Sequence, residues 1–282
     1  DILSYIESQE EMNINSKTDN IQNIVEGSNK IEEMSHMRKL IGEHMKQSLV
    51  ESAHVYVMTE VEFTKSFTQQ EPIPDDGIAL ANEIMRTGRL HRYNLEPDEQ
   101  SLASMLEAEF SKCQEVDYCL ACTSGGYAIQ LALRVCGVNQ GDKVLANAYT
   151  LAPVPGAIHN VGAQPVFVEI DSSYHIDLDD LDNKSESSGA KFLLLSHMRG
   201  HIADMDQINL ICNRYDITLI EDCAHTMGSK WRGIRSGNFG RVAAFSTQTY
   251  KHMNSGEGGF LTTNDAELAA KAVVSSGSYM LY

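Results

Sequence analysis

Ile217-Thr218-Leu219-Ile220-Glu221-Asp222-Cys223-Ala224-His225 is a short apolar run that ends abruptly in two acids and a histidine. Such a run, bounded by polar residues, reads as a buried strand whose carboxyl end carries chemistry. A second apolar stretch, Ala243-Ala244-Phe245-Ser246-Thr247-Gln248-Thr249-Tyr250-Lys251, ends in a lysine, and Gly256-Glu257-Gly258-Gly259 then turns the chain back. Outward from this pair, strands and helices alternate. Residues 118–122, 143–146, 165–170, 191–196 and 217–220 read as strands; 128–135 and 205–215 read as helices. This alternation predicts an α/β fold with a mainly parallel sheet flanked by helices. Ligands of such sheets bind at the carboxyl ends of strands, where most of the candidate residues fall.

An acid at one strand tip and a lysine just past the next is an arrangement suited to pyridoxal phosphate. The lysine amine forms a Schiff base with the aldehyde, and the acid pairs with the pyridinium nitrogen so that the ring acts as an electron sink. Taken alone, Asp222 could cap a turn and Lys251 could be a solvated surface amine. Together they favour a cofactor site. Thr123-Ser124-Gly125-Gly126 bridges a strand and a helix, and free amides at a helix start with hydroxyls alongside make a phosphate cradle. Ser246 is expected to join it.

The chain has 282 residues, 42% of them hydrophobic, and a formal charge of -17. This charge argues against a nucleic-acid partner and against an anionic membrane surface. No apolar run approaches the roughly 20 residues needed to span a bilayer, and a cytoplasmic location is the default expectation. The six cysteines lie mostly in apolar patterns, as reduced core thiols would. Cys119 and Cys122 form a CxxC without a second such pair, and no metal site is expected there. His197 and His201 have the i,i+4 spacing of a metal pair but no third ligand, so a plain loop is the simpler reading.

Composition divides the chain near residue 66. Residues 8 to 30 are polar and read as a linker, 34–45 have helical spacing, and 53–63 alternate like a strand. Residues 1–65, including Met34-Ser35-His36-Met37-Arg38-Lys39-Leu40-Ile41, resemble the 2-oxoacid dehydrogenase acyltransferase family. Its His-x-x-x-Asp-Gly segment and a lipoyl-lysine motif have no counterpart here. A component of such a complex is therefore the alternative reading, without a complete acyl-transfer site. The two pieces, 1–66 and 67–282, are read either as a fusion or as a join of unrelated fragments.

Ser124-Gly125, Glu221-Asp222-x-Ala224-His225, Phe245-Ser246 and Lys251 with Gly256-Glu257-Gly258-Gly259 resemble the DegT/DnrJ/StrS family of pyridoxal-phosphate sugar aminotransferases. Gly233 and Gly237 suit the family's turn before the lysine strand. The resemblance implies the large domain of a fold-type I aminotransferase, with the small domain lying beyond the end of this chain at Tyr282. It implies amino transfer from an amino acid, such as glutamate or glutamine, to a keto group of a nucleotide-linked sugar, in a homodimer. Lys251 would be the Schiff-base lysine and proton shuttle. Asp222 would hold the pyridinium nitrogen, and His225 would stand beside the ring. Ser124, Gly125, Gly126 and Ser246 would bind phosphate, and His197 is expected near the ring. A dehydratase class of relatives carries histidine in place of the lysine; counting from Ser246 puts Lys251 at that position and His252 one place later. Gly126 stands where threonine is usual. Leu151 stands where an aromatic ring usually stacks, so stacking is either weaker or comes from Tyr149.

Overall fold

The computed structural model describes residues 72–277 apart from 91, 93, 94 and 96–98. The acyltransferase-like segment, its expected helix and strand, and the expected boundary near residue 66 lie outside the described residues. Two helices come first, α1 (Asp75–Thr87) and α2 (Leu102–Gln114). They are followed by β1 (Tyr118–Cys122), α3 (Gly125–Val135), β2 (Lys143–Asn147), α4 (Pro153–Asn160), β3 (Gln164–Val168) and α5 (Leu178–Ser188). Next come β4 (Phe192–Ser196), a 3-10 turn (Met198–Gly200), α6 (Met205–Tyr215) and β5 (Thr218–Asp222). A small hairpin, β6 (Lys230–Trp231) and β7 (Ile234–Arg235), leads to β8 (Val242–Ser246), β9 (Gly259–Thr263) and α7 (Ala266–Ser276).

Seven strands form one sheet in the order β1-β9-β8-β5-β4-β2-β3. Neighbours from β8 through β5, β4 and β2 to β3 run parallel, and β9 alone is antiparallel to both its partners, β1 and β8. The mainly parallel α/β architecture expected from the alternation is therefore what the chain forms. After β1 the chain crosses to the far side of the sheet and then returns strand by strand. The carboxyl ends of β1, β8, β5 and β4 consequently lie in one row.

The inner strands carry apolar residues on both faces because helices cover both, and their polar residues gather toward the strand ends. In β8 and β9 every residue is buried. Leu194, Ile220, Val242, Ala244 and Leu261 pack against Ala128, Leu131 and Ala132 of α3 and Leu268 of α7. On the opposite face Leu193, Leu195 and Leu219 meet Leu181 of α5 and Met205, Ile208 and Ile211 of α6. Phe110 of α2 stacks on Phe260, ring centroids 4.0 Å apart, and meets Phe245 edge-on at 5.3 Å.

Helix starts follow side-chain capping. Ser124 accepts the amide of Tyr127, Asp177 that of Asp180, Asp204 those of Asp206 and Gln207, and Asp265 those of Glu267 and Leu268. Of the described helices, the sequence predicts only α3 and α6; it does not announce α1, α2, α4, α5 or α7. The sequence of α5, Leu-Asp-Asp-Leu-Asp-Asn-Lys-Ser-Glu-Ser-Ser, is mostly polar and buries only Leu181 and Ser185. Cys119 and Cys122 both sit within β1, where an odd spacing sends side chains to opposite faces, so the CxxC cannot close on one ligand. Burial pushes the Cys122 thiol up to about 12.

Candidate active site

Seven of the eight candidate residues line one cleft of about 370 Å³ at the row of strand ends: Ser124, Gly125, Gly126, Asp222, His225, Ser246 and Lys251. Leu151, Pro153, Met198, Gln248 and Glu257 complete much of its wall. His197 is the exception. It is 1% exposed, and its Nε2 lies 3.0 Å from Glu221 Oε2 rather than in the cleft. His201 is exposed and sets its ring against His175, so the i,i+4 histidines have separate partners.

Asp222 ends β5 beside Ser196, its register partner on β4. Ser196 Oγ donates to Asp222 Oδ2 at 2.8 Å, and the Ala224 amide donates to Oδ1 at 3.1 Å. Ser196 is itself held by Asn147 of β2, whose Oδ1 accepts the Ser196 amide at 2.9 Å and whose Nδ2 donates to the Ser196 carbonyl at 3.1 Å. A chain of polar groups thus crosses three strand ends and orients one carboxylate. That carboxylate is 7% exposed, and it forms no ion pair among the described residues. A buried carboxylate costs free energy unless a cation compensates it, so the cleft is built for a cationic donor.

Glu221 points the other way and is fully buried. Its carboxylate accepts the amides of Gly237 at 3.0 Å, Phe239 at 2.8 Å and Gly240 at 2.6 Å, as well as facing His197. Those donors occupy the lone pairs of Glu221, which ties the loop after the β6–β7 hairpin to β5. With Cys223 nearby, His197 and Glu221 form a buried cluster, but its carboxylate is committed to backbone amides. The cluster is a brace beneath the site.

Lys251 follows β8 on a loop closed by backbone bonds, Thr247 N to Gly258 O and Thr249 N to Gly256 O, both 3.0 Å. Lys251, not the exposed His252, lines the cleft. Its Nζ lies 2.7 Å from His225 Nε2. Partial burial is the main cause lowering the lysine's proton affinity; Asp222 opposes it and Arg199 reinforces it. His225 is lowered too, by partial burial first and then by the Lys251 charge. A neutral imidazole beside a readily deprotonated amine is a geometry suited to carbonyl chemistry.

The cradle is assembled by close approach. A Cβ on Gly125 would lie 2.6 Å from Ser246 Cβ. One on Gly259 would meet Gly125 N at 2.7 Å and Phe245 O at 2.6 Å. Only glycines let β8, β9 and the start of α3 meet here. The first-turn amides of α3 have no carbonyl one turn earlier, and Ser124 caps that of Tyr127, leaving the Gly125 and Gly126 end of the helix for an anion. A Cβ on Gly126 would meet nothing nearer than Pro153 Cβ at 3.8 Å, so there is room for the missing side chain. These features fit pyridoxal phosphate: an anion cradle, a lone buried carboxylate and a primary amine share one cleft.

Tyr149 does not line the cleft. Its ring packs against Tyr174, centroids 5.4 Å apart, and Leu151 lines the cleft instead. Ser196 and Asn147 were the residues without a chemical signal in the sequence. Their importance comes from register across strands, which no linear motif encodes.

The sequence profile of the DegT/DnrJ/EryC1/StrS aminotransferase family matches residues 78–278. Over 208 residues the chain is 32% identical to a protein of Geobacillus stearothermophilus named pleiotropic regulatory protein, covering 73% of this chain and 54% of that one. It is 32% identical over 203 residues to L-glutamine:2-deoxy-scyllo-inosose aminotransferase of Micromonospora echinospora, covering 71% and 48%. Among solved structures, DesV of S. venezuelae superimposes with a TM-score of 0.63 at 32% identity, covering 72% of this chain and 54% of that one. The chain spans about half the length of these relatives. With a matching fold, a profile across most of its length and the motif residues gathered in one cleft, the chain belongs to the DegT/DnrJ/EryC1/StrS aminotransferase family.

Proposed function

We propose that residues 67–282 form the cofactor-binding unit of a pyridoxal-phosphate-dependent aminotransferase that moves an amino group from an amino acid to a keto, nucleotide-linked sugar. The single observation that carries this reading is the buried Asp222 carboxylate, without a cationic partner among the described residues, facing the same cleft as Lys251. The name of one relative, GDP-perosamine synthase, supports a nucleotide-linked sugar, and that of L-glutamine:2-deoxy-scyllo-inosose aminotransferase supports an amino-acid donor and a keto acceptor.

When bound, the cofactor supplies an electron sink that makes a proton on the substrate carbon removable. The chain's own groups do the rest. Asp222, oriented by Ser196 and Ala224, would hold a positive ring nitrogen. The Gly125 and Gly126 amides, with Ser124 and Ser246, bind the phosphate. Lys251 Nζ would hold the cofactor through its aldehyde carbon and would be the group that moves a proton at the substrate carbon. His225, whose Nδ1 accepts the Arg199 amide, faces that amine with Nε2 at 2.7 Å and limits its swing. Presence of Lys251 in the cleft in place of a histidine favours transamination over dehydration.

The same reading places the protein in the cytoplasm as a homodimer. Among the described residues no helix is long and apolar enough to cross a membrane. Borohydride reduction of the purified chain with pyridoxal phosphate, followed by peptide mapping, tests the proposal. A reduced adduct on Lys251 is expected; a chain that binds no yellow chromophore at Lys251 refutes it. Sedimentation of the same sample reads the oligomeric state.

A further inference from the structure

Arg199 lies in the 3-10 turn just past β4, next to Met198 of the cleft wall. Its backbone is left-handed, φ 56°, an unfavourable conformation for a side-chain-bearing residue. The turn is held against the site by the Arg199 amide, which donates to His225 Nδ1 at 3.4 Å, while His225 Nε2 faces Lys251. A positive charge is thereby kept beside a lysine and a histidine, and it lowers the proton affinity of both.

The surroundings make this placement informative. Arg89, Arg92, Arg214, Arg232, Arg235 and Arg241 each pair with a carboxylate. The exposed Arg199 guanidinium has no such partner among the described residues, although the chain carries a net charge of -17. Arg86 and Arg134 are likewise unpaired, but they stand on helices α1 and α3 in last-turn positions that suit a cation. Arg199 has no comparable local reason.

Strand order separates it from the phosphate cradle. The cradle is built on the ends of β1 and β8, whereas Arg199 follows β4, with β5 and Asp222 between. Two strand spacings place it roughly 10 Å along the row from the β8 end. We propose that Arg199 is a second anion-binding group of this cleft, one that receives an oxyanion carried by a substrate. That oxyanion is the carboxylate of the amino donor or the diphosphate of the sugar acceptor. A guanidinium fork matches both geometries. The inference rests on the aminotransferase reading of the cleft and adds a specificity-determining residue to it.

Calorimetric titration decides it, with glutarate as the carboxylate probe and uridine diphosphate as the phosphate probe. The chain is measured with and without pyridoxal phosphate, as wild type, Arg199→Gln, Arg199→Lys and the surface control Arg134→Gln. We expect Arg199→Gln to weaken one probe about ten-fold or more, as loss of a charge-assisted bidentate contact does, with partial recovery in Arg199→Lys. Loss confined to glutarate assigns the donor carboxylate, and loss confined to uridine diphosphate assigns the acceptor. Equal binding of both probes by wild type and Arg199→Gln, or an equal loss in Arg134→Gln, overturns the proposal, as does a wild type that binds neither. Failure of wild type to trap the cofactor on Lys251 counts against the aminotransferase reading instead, because titration of the cofactor-free chain still reads Arg199.

Discussion

Lys251 Nζ and His225 Nε2 lie 2.7 Å apart, although the two residues belong to loops following different strands. The amine therefore shares its position with a neutral ring and is held over the cleft, where partial burial discourages its charge. Both depressions have consequences that pH reads directly.

Capture of an aldehyde needs the neutral amine. The yield of borohydride-trapped cofactor should rise with pH through a midpoint below the ordinary lysine value of 10.5. Asp222 favours the charged amine and Arg199 disfavours it, so Asp222→Asn should lower the midpoint further and Arg199→Gln should raise it. A trapping profile for wild type centred at or above 10.5 contradicts the assignment.

His225 has a folded proton affinity below its ordinary value of 6.5, so the unfolded chain takes up the proton first as pH falls. Stability should therefore decline as pH drops through 6.5 and level off below the depressed folded value. Denaturant midpoints measured across that range should show this slope in wild type and lose it in His225→Gln.

Glu221 satisfies three backbone amides and His197 in a fully buried setting. Its removal in Glu221→Ala leaves those donors unpaired and should cost about 3–5 kcal/mol, the range for breaking a buried charged network. Urea unfolding measures it. A loss of under about 1 kcal/mol, typical of surface sites, would mean the brace is not structural.

Gly125 and Gly126 are adjacent but should respond oppositely. A methyl on Gly125 collides with Ser246, so Gly125→Ala should destabilise by about 1–3 kcal/mol and abolish cofactor retention. Gly126→Ser enters open space and should retain the fold and the cofactor. Thermal melts and equilibrium dialysis of pyridoxal phosphate distinguish the two.

Ser196→Ala removes the donor to Asp222 Oδ2 while leaving the carboxylate in place. A hydrogen bond to a charged group is worth about 1.5–3 kcal/mol, so cofactor affinity should fall about ten-fold or more. Unchanged affinity by dialysis would show that the Ala224 amide alone orients Asp222.

The long strands and the Asp222–Lys251 pair were legible in one dimension because both depend on local chemistry. Leu193-Leu194-Leu195 and Leu219-Ile220, bounded by polar residues, read as buried strand, and the carboxylate that follows the second stands at a strand tip. Lys251 was legible from its spacing to Ser246 and to the returning glycines. Helix α5 was not, since capping by Asp177 and two buried side chains carry it rather than an apolar stripe. His197 was expected near the ring because the family resemblance implies it. The structure turns it beneath the sheet end toward Glu221, a partner 24 residues away.

Residue order by itself determined that this chain would build a helix-covered parallel sheet and bring an acid and a lysine to its carboxyl edge. Periodicity and motif spacing are sufficient for that. Only tertiary structure decided that β4 and β5 align Ser196 with Asp222, that Tyr149 turns away to Tyr174, and that Arg199 comes to rest against His225. Strand order and register arise from packing the whole core at once, and contacts between distant segments exist only after that packing is complete.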